Sequence, residues 1–378
     1  MIRYSNWLRD GLRDRGHSVT VLAPKAFLHQ LPLPRSLKKW MGYIDEFCLF
    51  PLYTYFWIKK KGKANETLFV FTDQAQGPWV PLVSSYAHVI HCHDFLALRS
   101  ALGEFPQNSI GWTGRQYQNM IRRGFQEGQN FISVSKKTKD DLHRFLAKEP
   151  NRSEVVYNGL NPIYKTSDRE TAKMLFSKYL NVNLEAGYLL HIGGNHWYKN
   201  RSGVIEIYNA WRSMSKTNLA LIMLGECPSS ELLEQHSNSP FKDDIYFVSD
   251  INDEHVTLAY CGTDIFLFPS YAEGFGWPIA EAMACGALVI TTDDAPMTEV
   301  AGGAAALVPI APSAREHVAK WAGQVANVLE GILNLDDRSK NLLRKSALEN
   351  IRRFDSDDAL MQIEKIYKVI LKKYSKLS

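Results

Sequence analysis

Pro269-Ser270-Tyr271-Ala272-Glu273-Gly274-Phe275-Gly276-Trp277-Pro278-Ile279-Ala280-Glu281-Ala282-Met283-Ala284-Cys285-Gly286 is the stretch that decides the fold. The apolar run Ile265 to Phe268 before it predicts a buried strand, which Pro269 breaks into a loop. Glycines in that loop permit tight turns and a close approach of backbone to a ligand. Pro278 falls where the first helical residue belongs, and Gly286 marks the helix end. Glu273 lies in the loop and Glu281 about one turn into the helix. Free amides at a helix start favour a phosphate, and carboxylates accept hydrogen bonds from sugar hydroxyls. Anion and polyol recognition thus fall within one strand-loop-helix unit.

Outward from this unit the same alternation recurs. In the second half, Tyr188 to Gly194, Leu219 to Gly225, Ile245 to Val248 and Leu288 to Thr291 read as further strands. In the first half, His17 to Ala23, Thr67 to Thr72, His88 to Cys92, Phe131 to Ser135 and Glu154 to Gly159 do so, with helices at Asn6 to Arg15, Phe95 to Leu102 and Lys136 to Leu146. Short buried strands alternating with helices predict parallel sheets covered on both faces. At 378 residues the expectation is two doubly wound, Rossmann-like domains. They are placed at 1–170 and 171–354, with a last helix over about 355–378 packing back on the first domain and a polar, helical linker region over Thr166 to Ala186. In such sheets ligands bind beyond the carboxyl ends of the strands, so two of them predict a substrate cleft between the domains.

Composition excludes several classes. Five cysteines form no C-x-x-C pair and leave an odd count, which argues against a disulfide scaffold or a zinc site and for a reducing, cytoplasmic compartment. The longest apolar-aromatic run, Phe47 to Ile58, contains Pro51 and is too short to span a bilayer. The net charge of +4 hides an asymmetry: residues 1–165 carry +10 and residues 166–378 carry −6. A basic first half meets an anionic lipid or acidic acceptor, or serves solubility; no nucleic-acid module accompanies it. The run Arg35 to Lys63 sets Trp40, Tyr43, Phe47, Phe50, Tyr53, Tyr55, Phe56 and Trp57 between basic ends. It reads either as a peripheral membrane contact, on the cytoplasmic face beside a lipid-linked acceptor, or as packed helices.

The spacing E-G-F-G-W-P-I-A-E, with its strand, glycines and helix start, resembles the E-x7-E motif of family 4 retaining glycosyltransferases with the GT-B fold. Similar matches are V-S-K-K-T-K-D-D-L at Val134, V-Y-N-G at Val156, H-I-G-G-N-H-W-Y-K-N at His191 and D-A-P-M-T-E-V at Asp294. The resemblance implies two Rossmann-like domains facing a central cleft that closes on substrate. It also implies a metal-independent transfer, without cofactor, of a hexose from a UDP- or GDP-sugar to a glycan or lipid-linked glycan, in surface polysaccharide or glycoconjugate synthesis.

By that resemblance Glu281 binds the ribose hydroxyls, while Glu273 and the amides of Gly274, Phe275, Gly276 and Trp277 hold the sugar. Lys199 is a cation for the diphosphate, whose negative charge grows as the glycosidic bond breaks. The family's usual arginine before this lysine is replaced by Asn195 and His196, so either Asn195 donates as a neutral group or Arg201 reaches in. Ile251 lies where the family holds the base, and Glu299 near the nucleotide. His93 contacts the donor sugar, with His91 as the fallback; the pair at i and i+2 lacks a nearby third metal ligand. The family's opening strand and glycine-rich loop do not precede the first helix here, so the first domain is expected to lack that strand. A nucleotide-sugar binder or assembly partner without turnover is the alternative reading.

Overall fold

A computed structural model of the protein describes residues 2–32, 34–61 and 66–375. The chain divides into two compact units. The first is built from Met1–Leu102, Ile110–Val156 and Asp357–Ser378, the second from Gly103–Ser109 and Tyr157–Ser356.

The first unit centres on a parallel sheet in the order β1 (Phe69–Phe71), β2 (His88–Cys92), β3 (Asn130–Ser133), β4 (Arg152–Val155). The side chains of β2 and β3 alternate between two apolar layers. Val89 and Ile132 meet Leu8 and Leu12 of the helix Ile2–Asp14 and Leu360, Ile363 and Tyr367 of the helix Ser356–Ser375. Ile90 and Phe131 face the other way, onto Phe95, Ile121, Phe125, Leu142 and Phe145. The last helix of the chain therefore completes the first unit's core.

His17 to Ala23, expected as a strand, is not one. The segment is largely exposed, and among the described residues it joins no strand ladder and β1 bonds β2 alone; β-branched residues without a ladder partner stay irregular. Arg35–Ile44, Asp45–Leu49 and Phe50–Lys61 run on as one helix, the middle segment widened to a π-turn. Pro51 lies just beyond that widening. Proline has no amide for an i−4 carbonyl and its ring collides with that carbonyl, which a wider turn relieves.

The second unit carries a parallel sheet in the order β10-β9-β8-β5-β6-β7. Its strands are β5 (Tyr188–Ile192), β6 (Ala220–Leu224), β7 (Ile245–Val248), β8 (Ile265–Phe268), β9 (Leu288–Thr292) and β10 (Ala306–Val308). β5, β6, β8 and β9 are almost wholly buried, as near-continuous apolar runs in a parallel sheet require. The chain winds from β5 toward β7 in one direction and from β8 toward β10 in the other. The order reverses between β5 and β8, where open α/β sheets bind ligands.

The stretch Thr166 to Ala186, read as a linker, holds the helix Arg169–Leu180. Asp168 caps it by accepting from the Thr171 amide at 2.9 Å, and Ala172 and Phe176 are buried in the second unit. The chain passes between units at 156/157 rather than at 170. Tyr157 already packs on Phe354 and Phe275, which fixes it to the second unit.

Candidate functional site

The second unit's site grows from the ends of β5 and β8. Tyr271 donates its amide to the Tyr198 carbonyl at 2.8 Å, and Asn200 donates its side-chain amide to Pro269 O at 2.9 Å. Asn200 also caps the helix Arg201–Met214 from a left-handed conformation, φ 52°, accepting from Gly203 N at 3.1 Å. These ties press the two loops together. Lys199 Nζ then meets Glu273 Oε1 at 2.8 Å, with side-chain exposures of only 14% and 8%. The ammonium also lies 4.9 Å from the Phe268 ring centroid. A nearly dry ion pair thus stands at the switch point of the sheet.

Beyond Glu273 the chain turns through Gly276 at φ 98°, a conformation open to glycine and strained for other residues. The helix Trp277–Ala284 follows, with Trp277 rather than Pro278 as its first residue. The Phe275 side chain is buried against Phe354 and Trp277, so only its backbone remains for a ligand. Glu281 is 7% exposed, and its Oε2 accepts from the Tyr260 hydroxyl at 3.2 Å. A solvated surface charge is therefore excluded for Glu281. This carboxylate is held inside the unit, one helix turn beyond the loop.

The loops after β5 and β6 form the next wall. Gly225, at φ 142°, lies where an added Cβ would strike the Gly193 carbonyl. Gly225→Ala is expected to lower the unfolding free energy by about 2 kcal/mol or more, read as a lowered urea midpoint at unchanged slope. Asn195 links these loops. Its side chain donates to Cys227 O at 2.7 Å and accepts from Arg201 Nη1 at 2.6 Å, and its amide donates to Glu226 Oε2 at 2.9 Å. One of the two side-chain hydrogens of Asn195 is thereby tied to Cys227 O, which joins the loops after β5 and β6. Arg201 does not reach out. It is 5% exposed and turned onto Asn195 and the Glu226 carbonyl, 2.9 Å away, with burial lowering its pKa. Both Arg201 and Lys199 act on His191 of β5, and Lys199 is the one paired with Glu273.

Ile251 is half-buried after β7, between Asp250 at φ 56° and Asn252, which caps the helix Asp253–Gly262. Glu299 is tied within the unit: Oε2 accepts from the Tyr157 hydroxyl at 3.3 Å. His191 at the end of β5 donates through Nδ1 to Leu267 O at 2.9 Å, leaving Nε2 buried without a protein partner among the described residues. Burial lowers its pKa to about 3.

In the first unit, His93 follows β2. Its Nε2 contacts the Thr72 carbonyl at 2.9 Å and must carry the proton there, which makes Nδ1 the acceptor. Burial holds its pKa at about 4, so the ring is neutral at pH 7. The Tyr4 ring meets it edge-on at 4.5 Å. His91 cannot serve as the fallback ligand. It is fully buried, with Nδ1 2.7 Å from the Tyr4 hydroxyl and Nε2 2.6 Å from the Tyr367 hydroxyl. Asp94 accepts from Leu96 N at 3.0 Å at the start of the helix Leu96–Ala101. Among the described residues no group of three or more His, Cys, Asp or Glu side chains is arranged to hold a metal.

Sequence reasoning missed Asn200 and Tyr260. Asn200 had a signal, an asparagine directly before a helix, whereas Tyr260 is brought to Glu281 by tertiary packing alone.

Two parallel-sheet α/β domains define the GT-B fold, and solved structures agree. Sucrose-phosphate synthase from Thermosynechococcus elongatus superposes with a TM-score of 0.71 at 18% identity, covering 98% of this chain and 93% of that one. HepE of Anabaena in complex with UDP-glucose superposes with a TM-score of 0.64 at 17% identity, over 85% and 82%. The chain matches the glycosyl transferases group 1 pattern over residues 186–330 and the Glycosyltransferase Family 4 pattern over residues 3–163. It belongs to the group 1 glycosyltransferase family. Similar curated proteins include O-antigen chain mannosyltransferase B of Escherichia coli, 25% identical over 49% of this chain and 46% of that protein. Another is N,N'-diacetylbacillosaminyl-diphospho-undecaprenol alpha-1,3-N-acetylgalactosaminyltransferase of Campylobacter jejuni, 28% identical over 46% and 45%. The matches span about half the length of these relatives.

Proposed function

We propose that this chain transfers a hexose from a nucleoside diphosphate sugar to an acceptor hydroxyl, with retention and without a metal ion, in the synthesis of a surface glycan. The acceptor is a glycan or a lipid-linked glycan. Support for the surface-glycan setting comes from the names of the relatives, which include O-antigen and undecaprenol-linked sugar transferases. Support for a nucleotide-sugar donor comes from the UDP-glucose bound in the Anabaena protein.

The observation that carries the reading is the Lys199–Glu273 pair beside the Gly276–Trp277 helix start, with the buried Glu281 one turn on. In this reading Glu281 accepts the ribose hydroxyls and Glu273 those of the sugar, while Ile251 flanks the base. Amides at the helix start and Lys199 face the diphosphate. As the bond from the anomeric carbon to the diphosphate oxygen breaks, charge grows on that oxygen and the cation stabilises it more than the ground state. The acceptor oxygen bonds the same face of the anomeric carbon, and its proton passes to the departing phosphate. Neutral His93 offers Nδ1 to a sugar hydroxyl.

Glu273→Gln keeps the shape and leaves an amide oxygen for Lys199, so nucleoside diphosphate affinity should survive. Transfer or slow donor hydrolysis should fall by about a hundredfold. Transfer equal to that of an active wild type would remove Glu273 from the reaction, whereas donor affinity without turnover in either protein would leave a nucleotide-sugar binder.

A further inference from the structure

The helix Phe50–Lys61 is apolar on both sides. Its inner side, Phe50, Thr54, Trp57 and Ile58, packs on the first unit: Phe50 meets the Trp79 ring at 4.7 Å and Trp57 the Phe69 ring at 6.5 Å. Its outer side carries Leu52, Tyr55, Phe56 and Lys59 at i, i+3, i+4 and i+7, one stripe of a helix, with Tyr53 beside it. They are exposed among the described residues, Tyr53 by 53% and Phe56 by 62%. An outward helix face normally carries charge, and here it carries rings.

The preceding helix continues the pattern. Leu37, Trp40 and Tyr43, each three residues apart, form its exposed stripe, and Trp40 is 65% exposed. A chain of ring contacts leads from Trp40 to Tyr43, to Phe47, and to the exposed Tyr117 of the helix Trp112–Phe125. Exposed Trp112 and Met120 belong to that third helix.

Charge selects the occupant. From Phe47 to Asn65 there is no carboxylate, and Lys59, Lys60, Lys61 and Lys63 close the segment. Lys59 Nζ stands 5.7 Å from the Tyr55 ring centroid, so cation and aromatic face share one surface. Asp45 and Glu46 are the carboxylates of the stretch from Arg35 to Ala64. Asp45 is buried, accepting from the Leu28 and His29 amides at 3.0 and 2.9 Å. Lysine is depleted at protein–protein interfaces, whereas tyrosine and tryptophan beside clustered lysine suit the headgroup layer of an anionic membrane. No helix among the described residues is long and apolar enough to cross a bilayer.

We infer that the exposed aromatic face of Leu37–Phe56, with its lysine end, docks the first unit on an anionic lipid surface as a peripheral contact. This inference does not rest on the proposed transfer reaction. The full chain is to be sedimented with vesicles of phosphatidylcholine alone and of phosphatidylcholine mixed with phosphatidylglycerol, at low and high salt. Binding to the mixed vesicles should exceed binding to the neutral ones and weaken at high salt. Replacing Tyr55 and Phe56 together by Ser, or Lys59 and Lys60 together by Glu, should lower the partition coefficient about tenfold or more. Circular dichroism and nucleoside diphosphate binding should not change, since these side chains point away from the core. Absence of vesicle binding, or binding indifferent to both double variants, overturns the inference. So does a concentration-dependent dimer in light scattering that the variants dissolve while vesicles capture nothing, which would make the face a protein contact.

Discussion

Lys199→Met is expected to slow sugar transfer by about two to three orders of magnitude, with the loss falling mainly on kcat. The side chain stands at the C-terminal ends of β5 and β8, paired with Glu273 at 2.8 Å and largely shut off from water. In that setting a fixed cation is not screened as it would be at the surface, and its attraction for the departing diphosphate grows with bond cleavage. The same substitution leaves the Glu273 carboxylate nearly buried and unpaired. Unfolding free energy should therefore drop as well, by about 3 kcal/mol. Lys199→Arg separates the two effects, because it restores the ion pair and stability while placing a bulkier cation at the diphosphate. Initial rates over a range of donor concentrations, beside urea melts of each variant, make the check. A Lys199→Met enzyme with unchanged kcat would place the departing charge elsewhere.

Acid should unfold this protein well above the usual carboxylate range. His91, His191 and His93 are buried and neutral, with pKa values lowered to about 3, 3 and 4 from an ordinary 6.5, and burial is the leading cause for each. Above about pH 7 neither the folded nor the unfolded chain protonates them, so stability is fully present. Between about 6.5 and 4 the unfolded chain takes up protons that the folded chain refuses, and stability falls with falling pH. Each histidine adds up to about 1.4 kcal/mol per pH unit in that window. Urea midpoints taken at steps from neutral pH downward measure the slope, which His191→Gln should flatten. A flat profile down to pH 5 would mean that these rings open to water before they protonate.

Much of the second unit was legible from sequence because most of its strands are short buried apolar runs, and those ending at Ile192, Leu224 and Phe268 run straight into a glycine or proline. Lys199 and Glu273, 74 residues apart, were both marked by their place in a loop after such a strand. Local pattern cannot report what a side chain is already bonded to. Asn195 was marked as a donor, and its place between Cys227 O and Arg201 Nη1 could not be read from the sequence. His91 and His93 looked interchangeable at i and i+2, yet Tyr4 and Tyr367 come from helices at opposite ends of the chain to seal the first. The strand read at His17 to Ala23 failed for a related reason. Alternation signals a half-buried strand only when a neighbouring strand exists to pair with it. The helix Arg169–Leu180 was legible as a helix, but with Ala172 and Phe176 as its buried residues its polar pattern did not show that it is packed.

The most direct test of a diphosphate site built on Lys199 is calorimetric titration of UDP, GDP and the matching monophosphates in the presence of a chelator. The account predicts that one diphosphate binds at least about tenfold more tightly than its monophosphate, without metal, that Lys199→Met removes this preference and that Glu281→Ala weakens binding of both. Equal affinity for mono- and diphosphate, or diphosphate binding unchanged by both substitutions, would contradict it.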